Sequence, residues 1–269
     1  MYNTIIVITG MPRSGTSWLS QIFDSSPEVR FRLSPLFAYE FKNCVNETAT
    51  KEEWENVFLG AYNSENDFMN QTERRAVGQY PTFEYKNPEP AFLVIKDTRF
   101  HNLTERMLGL FDNVKMVAIV RHPCGAIHSW LTAPGEFPRD ADPLREWRTG
   151  SCRKKGYGEF WGFDDWEKIT RLHIKLEQSL PNRFIIQQYE HMVDNPMSET
   201  KKLFAFFGLE FTDQTESFLK MSQTVHDESE YAVFKFPSVK DRWRSELHLS
   251  NRKAIIEKIA GTELERFLL

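Results

Sequence analysis

A parallel α/β sheet with helices on both faces is the fold this sequence predicts, and three observations predict it. Short apolar, β-branched runs recur along the chain, at Thr4–Thr9, Phe92–Ile95, Val114–Val120 and Phe184–Gln188. Each is nearly continuous in its hydrophobicity, as a strand buried on both faces must be. Each is followed by a stretch of helical spacing, the alternation that builds parallel sheets. The 269 residues, 41% of them hydrophobic, suffice for one large domain of this class.

In order, Thr4–Thr9 reads as the first strand, Gly10–Ser17 as a small-residue turn, and Trp18–Asp24 as a helix presenting Trp18, Leu19, Ile22 and Phe23. Residues 40–90, rich in Asn, Glu and aromatics, read as irregular helices and loops forming a cover. A helix over Leu103–Phe111 separates the next two strands, and a loop and helix follow over Arg121–Leu131. Residues 132–163, rich in Pro, Gly, Arg and Trp, read as a long loop or lid. Helices are expected over Asp164–Leu180, which Pro181 ends, and over Ser198–Phe207, which Gly208 closes. Residues 222–248 look irregular and Asn251–Leu269 helical. With no clear linker, residues 1–269 read as a single domain, with 35–90 and 132–163 as its acceptor-side loops.

Composition excludes several classes. A net charge of −4, from 34 basic and 38 acidic residues, argues against a general nucleic-acid binder. No stretch approaches the roughly 20 apolar residues of a membrane span, and Ile5–Ile8 is too short for a signal peptide's apolar region. Cys44, Cys124 and Cys152 lie far apart, without metal-ligand spacing, so neither a disulfide scaffold nor a metal site is expected. A reducing cytoplasm fits best.

The chemistry concentrates at the first turn. Gly10-Met-Pro-Arg-Ser-Gly-Thr-Ser17 lies between strand and helix, where such sheets bind anions on exposed helix N–H groups. Its two glycines match the spacing of the nucleotide-binding P-loop. The Lys that reaches a triphosphate is missing, with Thr16 and Ser17 in its place, and the cation is Arg13 inside the loop. Arg presents a planar fork suited to one phosphate, and the hydroxyls add donors.

The segment Pro12–Leu19 resembles the 5′-phosphosulfate loop of sulfotransferases that use 3′-phosphoadenosine 5′-phosphosulfate (PAPS). The resemblance implies that Pro12, Arg13, Ser14, Gly15, Thr16, Ser17 and Trp18 hold the donor, without a metal. A second motif is similar to the family's 3′-phosphate site: a strand ending in Arg121-His122-Pro123, then Ser129 about two turns along a helix. Phe92–Asp97 resembles a strand of the carbohydrate and tyrosyl-protein enzymes that ends in Lys-Asp-Pro, with Thr98 replacing the proline. This implies that Lys96 stabilises the transferring sulfuryl group. Ser238–Arg244 resembles the basic segment that closes over the nucleotide, which implies contacts from Lys240, Arg242 and Arg244 with the 3′-phosphate, and a Trp243 that either covers the adenine or packs inside. The Arg-Lys-Gly of the aryl enzymes is absent there.

The family's usual general bases are also absent. Thr98 stands where the aryl enzymes have His, and Leu33 and Ser34 stand where the tyrosyl-protein enzymes have Glu. Glu40 is the first alternative, Asp97 the second and His101 the third. The expected catalytic set is therefore Arg13, Lys96, Glu40 and Asp97. The aromatic group Phe160, Trp161, Phe163 and Trp166 is either core or a sugar-stacking wall.

The reading is a sulfotransferase fold that moves a sulfuryl group from PAPS to a hydroxyl or amine of a carbohydrate or small metabolite. 3′,5′-ADP is the product; no metal, nucleic-acid or membrane partner is expected. The alternatives are a small-molecule kinase and a non-catalytic 3′,5′-ADP-binding protein. Oligomeric state and acceptor are not written in the motifs.

Overall fold

Five parallel strands form one sheet: β1 (Thr4–Thr9), β2 (Val29–Leu33), β3 (Phe92–Lys96), β4 (Val114–Val120) and β5 (Phe184–Gln188), in the order β2-β3-β1-β4-β5. This is a computed structural model, and it describes residues 2–38 and 40–268. Met1, Tyr39 and Leu269, which the expected domain, the 35–90 acceptor-side loop and the C-terminal helix include, lie outside the described residues.

Side chains alternate across the strands and make two cores. Ile6, Ile8, Val94, Val117 and Ile119 face α1 (Thr16–Asp24) and the Pro196–Phe207 helix. Ile5, Val7, Leu93, Ile95, Met116 and Ala118 face the Lys51–Asn63 and Thr104–Leu110 helices. A third cluster joins the Pro123–Leu131, Gly162–Ser179 and Leu249–Ile259 helices and contains Phe163 and Trp166. Phe163, Trp166 and Trp161 are buried, so these rings are core rather than a sugar-stacking wall.

Four strands fall where the apolar runs placed them. β2 was not expected. Its sequence, Val-Arg-Phe-Arg-Leu, is an edge strand with Val29, Phe31 and Leu33 on the α1 side. Arg32 lies on the other face, and its guanidinium donates to the carbonyls of Ala61, Tyr62 and Ser64. One regular helix stands in the stretch expected to hold irregular helices and loops, and others, Tyr189–Asp194 and Asp213–Thr224 among them, were not expected. Lys51–Asn63 begins with a capping box between Thr50 and Glu53, and Asp213–Thr224 is capped by Thr212. The 132–163 segment is not all loop, because Asp142 caps a helix over Pro143–Thr149. The C-terminal helix is shorter than expected, ending at Ile259. Among the described residues no helix is long and apolar enough to cross a membrane.

Candidate functional site

The strands deliver their functional residues to one edge. Parallel register sets Ile8 beside both Lys96 and Val117, so β1 and β3 end within a residue of each other and β4 runs on to Val120. The chain leaves β1 through Gly10, where φ is +144° and a Cβ would meet the Ile119 carbonyl oxygen at 2.4 Å. It enters α1 through Gly15, left-handed at φ +93°, where a Cβ would meet the Tyr189 ring at 2.5 Å. Gly15 has no side chain to cap α1, and no acidic residue occupies the first turn. The helix N–H groups are therefore left for an anion.

A cleft of about 410 Å³ opens above this turn. Its lining includes Pro12, Arg13, Gly15, Thr16, Ser17, Trp18, Lys96, Arg121 and Ser129, so the three strand-end motifs converge on one space. Arg13 has a φ of 69°; its Nε donates to Ser129 Oγ at 3.4 Å and its Nη2 to the Glu230 carbonyl at 3.3 Å. Lys96 Nζ donates to Ser17 Oγ at 3.0 Å. Arg121 is buried, donates to the carbonyls of Arg13 (3.1 Å) and Val239 (3.4 Å), and stacks over Tyr189 at 4.7 Å. Its Nε is buried without a hydrogen-bond partner among the described residues, as is Ser14 Oγ. Trp18 Nε1 donates to Ser222 Oγ at 2.9 Å.

The electrostatics are those of an anion site. Burial lowers the pKa of Lys96 and of Arg13; Arg74 and Arg13 push Lys96 the same way, and Glu230 opposes the shift at Arg13. Seven cations line the cleft (Arg13, Arg74, Lys96, Arg99, Arg121, Arg153 and Lys235) against two carboxylates, Glu136 and Glu230. Such an imbalance favours a multiply charged anion.

Several expected residues do not reach the cleft. Asp97 follows Lys96 on β3, so strand alternation turns it to the opposite face. There it lines a small apolar pocket with Val7, Trp54 and Ile95 and accepts from the Arg99 amide at 2.9 Å. Burial raises its pKa to about 7. His101 is buried below the sheet edge, its Nδ1 3.3 Å from Thr9 Oγ1. Glu40 stands on an exposed turn, not a helix, and accepts from Ser64 Oγ at 2.7 Å; it is not part of the lining. The charged side chains of the basic tail turn elsewhere, and of the two expectations for Trp243 the packed one is seen. Lys240 pairs with Asp194, and Arg242 is exposed. Trp243 is buried and stacks on His122 at 4.1 Å, because its apolar ring is better placed in the third core. Pro237 and Val239 of the same segment do line the cleft. Ser14 is buried beneath the loop and outside the lining.

Other lining residues carry no motif. Glu136 accepts from Tyr231 Oη at 3.1 Å and from Arg153 Nη2 at 3.3 Å. Glu230 accepts from the Gly135 amide at 3.0 Å and lies 3.7 Å from Arg13 Nη1. Phe37 and Phe68 are partly exposed, with ring centroids 5.9 Å apart, and Arg99 stacks over Phe37 at 4.2 Å. These residues come from separate segments, and only folding assembles them. The one available signal was the alternation along Phe92–Thr98, which puts Lys96 and Thr98 on one face and Asp97 on the other.

A family model described as the sulfotransferase family matches residues 6–213. No curated protein is similar enough in sequence to match. Among solved structures, mouse sulfotransferase SULT7A1 complexed with PAP is similar at TM-score 0.57 and 16% identity, over 98% of this chain and 88% of that one. The sulfotransferase domain of the Synechococcus PCC 7002 olefin synthase gives TM-score 0.56 and 18% identity, over 96% of this chain and 95% of that one. A retinol dehydratase in a complex with retinol and PAP gives 0.54 and 11%, over 98% and 83%. At these identities the neighbours show the fold alone. The family match covers most of the chain, and with it the loop, the strand-end Lys96 and the Arg121–Ser129 pair place this protein in the PAPS-dependent sulfotransferase family.

Proposed function

We propose that this chain transfers a sulfuryl group from PAPS to the hydroxyl, or amine, of a carbohydrate or small metabolite, by in-line displacement. The observation that carries the reading is the convergence of Arg13, Lys96, Arg121 and the uncapped start of α1 on one cleft. The unpartnered Arg121 Nε and the excess of cations suit a nucleotide with anions at both ends. PAPS supplies the sulfuryl group and a stable leaving anion. Arg13, Ser17 and the α1 amides bind its phosphosulfate, and Arg121 and Ser129 its 3′-phosphate. Lys96, fixed on Ser17, faces the charge that develops as the sulfur–oxygen bond to the phosphate breaks. The acceptor oxygen bonds to sulfur, and its proton needs a base.

Glu136 takes the base role that Glu40 and Asp97 cannot fill from their places outside the cleft. Of the two lining carboxylates, Glu230 sits on Arg13, where the donor binds. Glu136 is held by Tyr231 and Arg153 with lone pairs to spare. The Phe37–Phe68 pair offers the acceptor an apolar platform at the mouth, next to the residue 35–90 and 132–163 segments.

A thermal-shift titration tests the donor. 3′,5′-ADP alone should raise the midpoint, equivalent to about 2.7 kcal/mol at a hundredfold excess over Kd, and Arg13→Ala should abolish the rise. A rise only with ATP and Mg²⁺ would favour a small-molecule kinase instead. With an acceptor found by screening, Glu136→Gln should lower kcat by about 10²- to 10⁴-fold while retaining 3′,5′-ADP binding. A fully active Glu136→Gln removes Glu136 from the role.

A further inference from the structure

Among the cleft arginines, one belongs to no motif and has no carboxylate partner among the described residues. Arg74 comes from the short Thr72–Ala76 helix in the cover and reaches the cleft between two tyrosines. Its guanidinium stacks 4.4 Å from the Tyr231 centroid and 5.4 Å from that of Tyr80, and its Nη1 donates to Tyr80 Oη at 3.0 Å. The other cleft arginines on this side are neutralised: Arg13 by Glu230, Arg99 by Glu159 and Arg153 by Glu136. No carboxylate forms an ion pair with Arg74 among the described residues.

Arg74 is wired to the strand-end lysine. The Tyr80 hydroxyl, which accepts from Arg74, lies near the Ser17 side chain, and Ser17 Oγ accepts from Lys96 Nζ. The two cations thus face one space across a hydroxyl pair, and each feels the other. Burial and Arg74 both lower the Lys96 pKa. Burial would raise the Tyr80 pKa, yet Lys96 and Arg74 bring it below its ordinary value. Two neighbouring cations without a counter-charge make a costly arrangement that a bound anion relieves.

We propose that Arg74 is a sulfuryl-binding residue, contacting the donor's transferring group together with Lys96. This deepens the sulfotransferase reading and rests on it. The position distinguishes the sulfuryl group from the nucleotide's phosphates. Arg74 is linked to Lys96 and Ser17, at the end where β3 delivers the catalytic lysine. Arg121 is tied instead to Arg13, Val239 and Tyr189. A planar guanidinium with free donors matches a trigonal array of sulfuryl oxygens.

The test compares two ligands that differ only by that group, PAPS and 3′,5′-ADP, by isothermal titration without acceptor. Arg74→Ala should weaken PAPS by about 10- to 100-fold and 3′,5′-ADP by less than about threefold. Arg74→Lys should restore part of the loss. Retained 3′,5′-ADP binding in Arg74→Ala also shows that the cleft is folded. Should Arg74→Ala fail to fold, Tyr80→Phe, which keeps the ring and removes the hydroxyl, should lower the PAPS-to-3′,5′-ADP preference in the same direction. A preference unchanged from wild type, whether both affinities fall together or neither falls, overturns the assignment and leaves Arg74 as a support for Tyr231. A wild-type protein that binds neither ligand overturns the donor reading itself, and Arg74's role with it.

Discussion

Arg13 illustrates how much one side chain is asked to do. Its backbone is left-handed, at φ 69°, which an L-residue adopts only under constraint from the loop. Its guanidinium is divided among Ser129, the Glu230 carbonyl and the Glu230 carboxylate. On the proposed function, a phosphosulfate arriving at Arg13 displaces that carboxylate. Glu230→Gln should therefore tighten 3′,5′-ADP binding, by about two- to fivefold given a partly exposed pair. Calorimetric titration reads the sign directly, and weaker binding would place Glu230 among the donor's supports. Arg13 was legible because it sits in a short local motif. Glu230 was not, because it meets Arg13 from 217 positions away along the chain.

At the scale of elements, the strand–turn–helix unit governs the site. Gly15 must be left-handed, and the Tyr189 ring fills the space of any Cβ. Gly15→Ala should lower stability by about 1–3 kcal/mol and weaken 3′,5′-ADP binding, since the first turn of α1 would shift. Thermal melts with and without ligand separate the two effects. If the variant melts and binds like the parent, neither the strain nor the close packing limits the turn. The elements that escaped the sequence reading share a physical cause. β2 is an edge strand whose arginines donate to carbonyls at the C-terminal end of the Lys51–Asn63 helix, so its pattern is half polar. The Pro143–Thr149 helix is short, buries none of its residues, and depends on its Asp142 cap. Periodicity reports apolar burial, and neither element has much of it.

At the scale of the whole molecule, buried titratable groups on the far side of the sheet set a pH dependence. Burial raises the Asp97 pKa from its model-peptide range to about 7. The folded protein therefore holds this proton longer than the unfolded chain. The resulting stability is full below about pH 4 and is lost as pH rises to about 7. Burial depresses His101 to about 4 and holds His173 well below the ordinary imidazole value. Their contribution runs the other way, present above about pH 6.5 and lost as pH falls. Asp97→Asn removes the first of these. It should raise the melting temperature at pH 8, on the order of 5 °C, and change it little at pH 4. A variant equally shifted at both pH values would show that Asp97 is not the group responsible.

The sequence alone determined the sheet's buried strands, the glycine turn at the cleft and the Arg121–Ser129 pair that lines it. All of these rest on local patterns: continuous apolar runs, glycines at fixed spacing, and a cation at a strand end. It also contained, in the alternation of β3, the reason Lys96 and Asp97 part company. Tertiary structure alone decided the remainder of the cleft. Glu136, Glu230, Arg74 and Tyr231 come from segments with no shared periodicity, and the cover and the 132–163 and 222–248 segments bring them together. Tertiary packing likewise withdrew Trp243 into a core and tied Lys240 to Asp194. A side chain's role depends on its partners in space, and partners far apart in sequence leave no local mark on either residue.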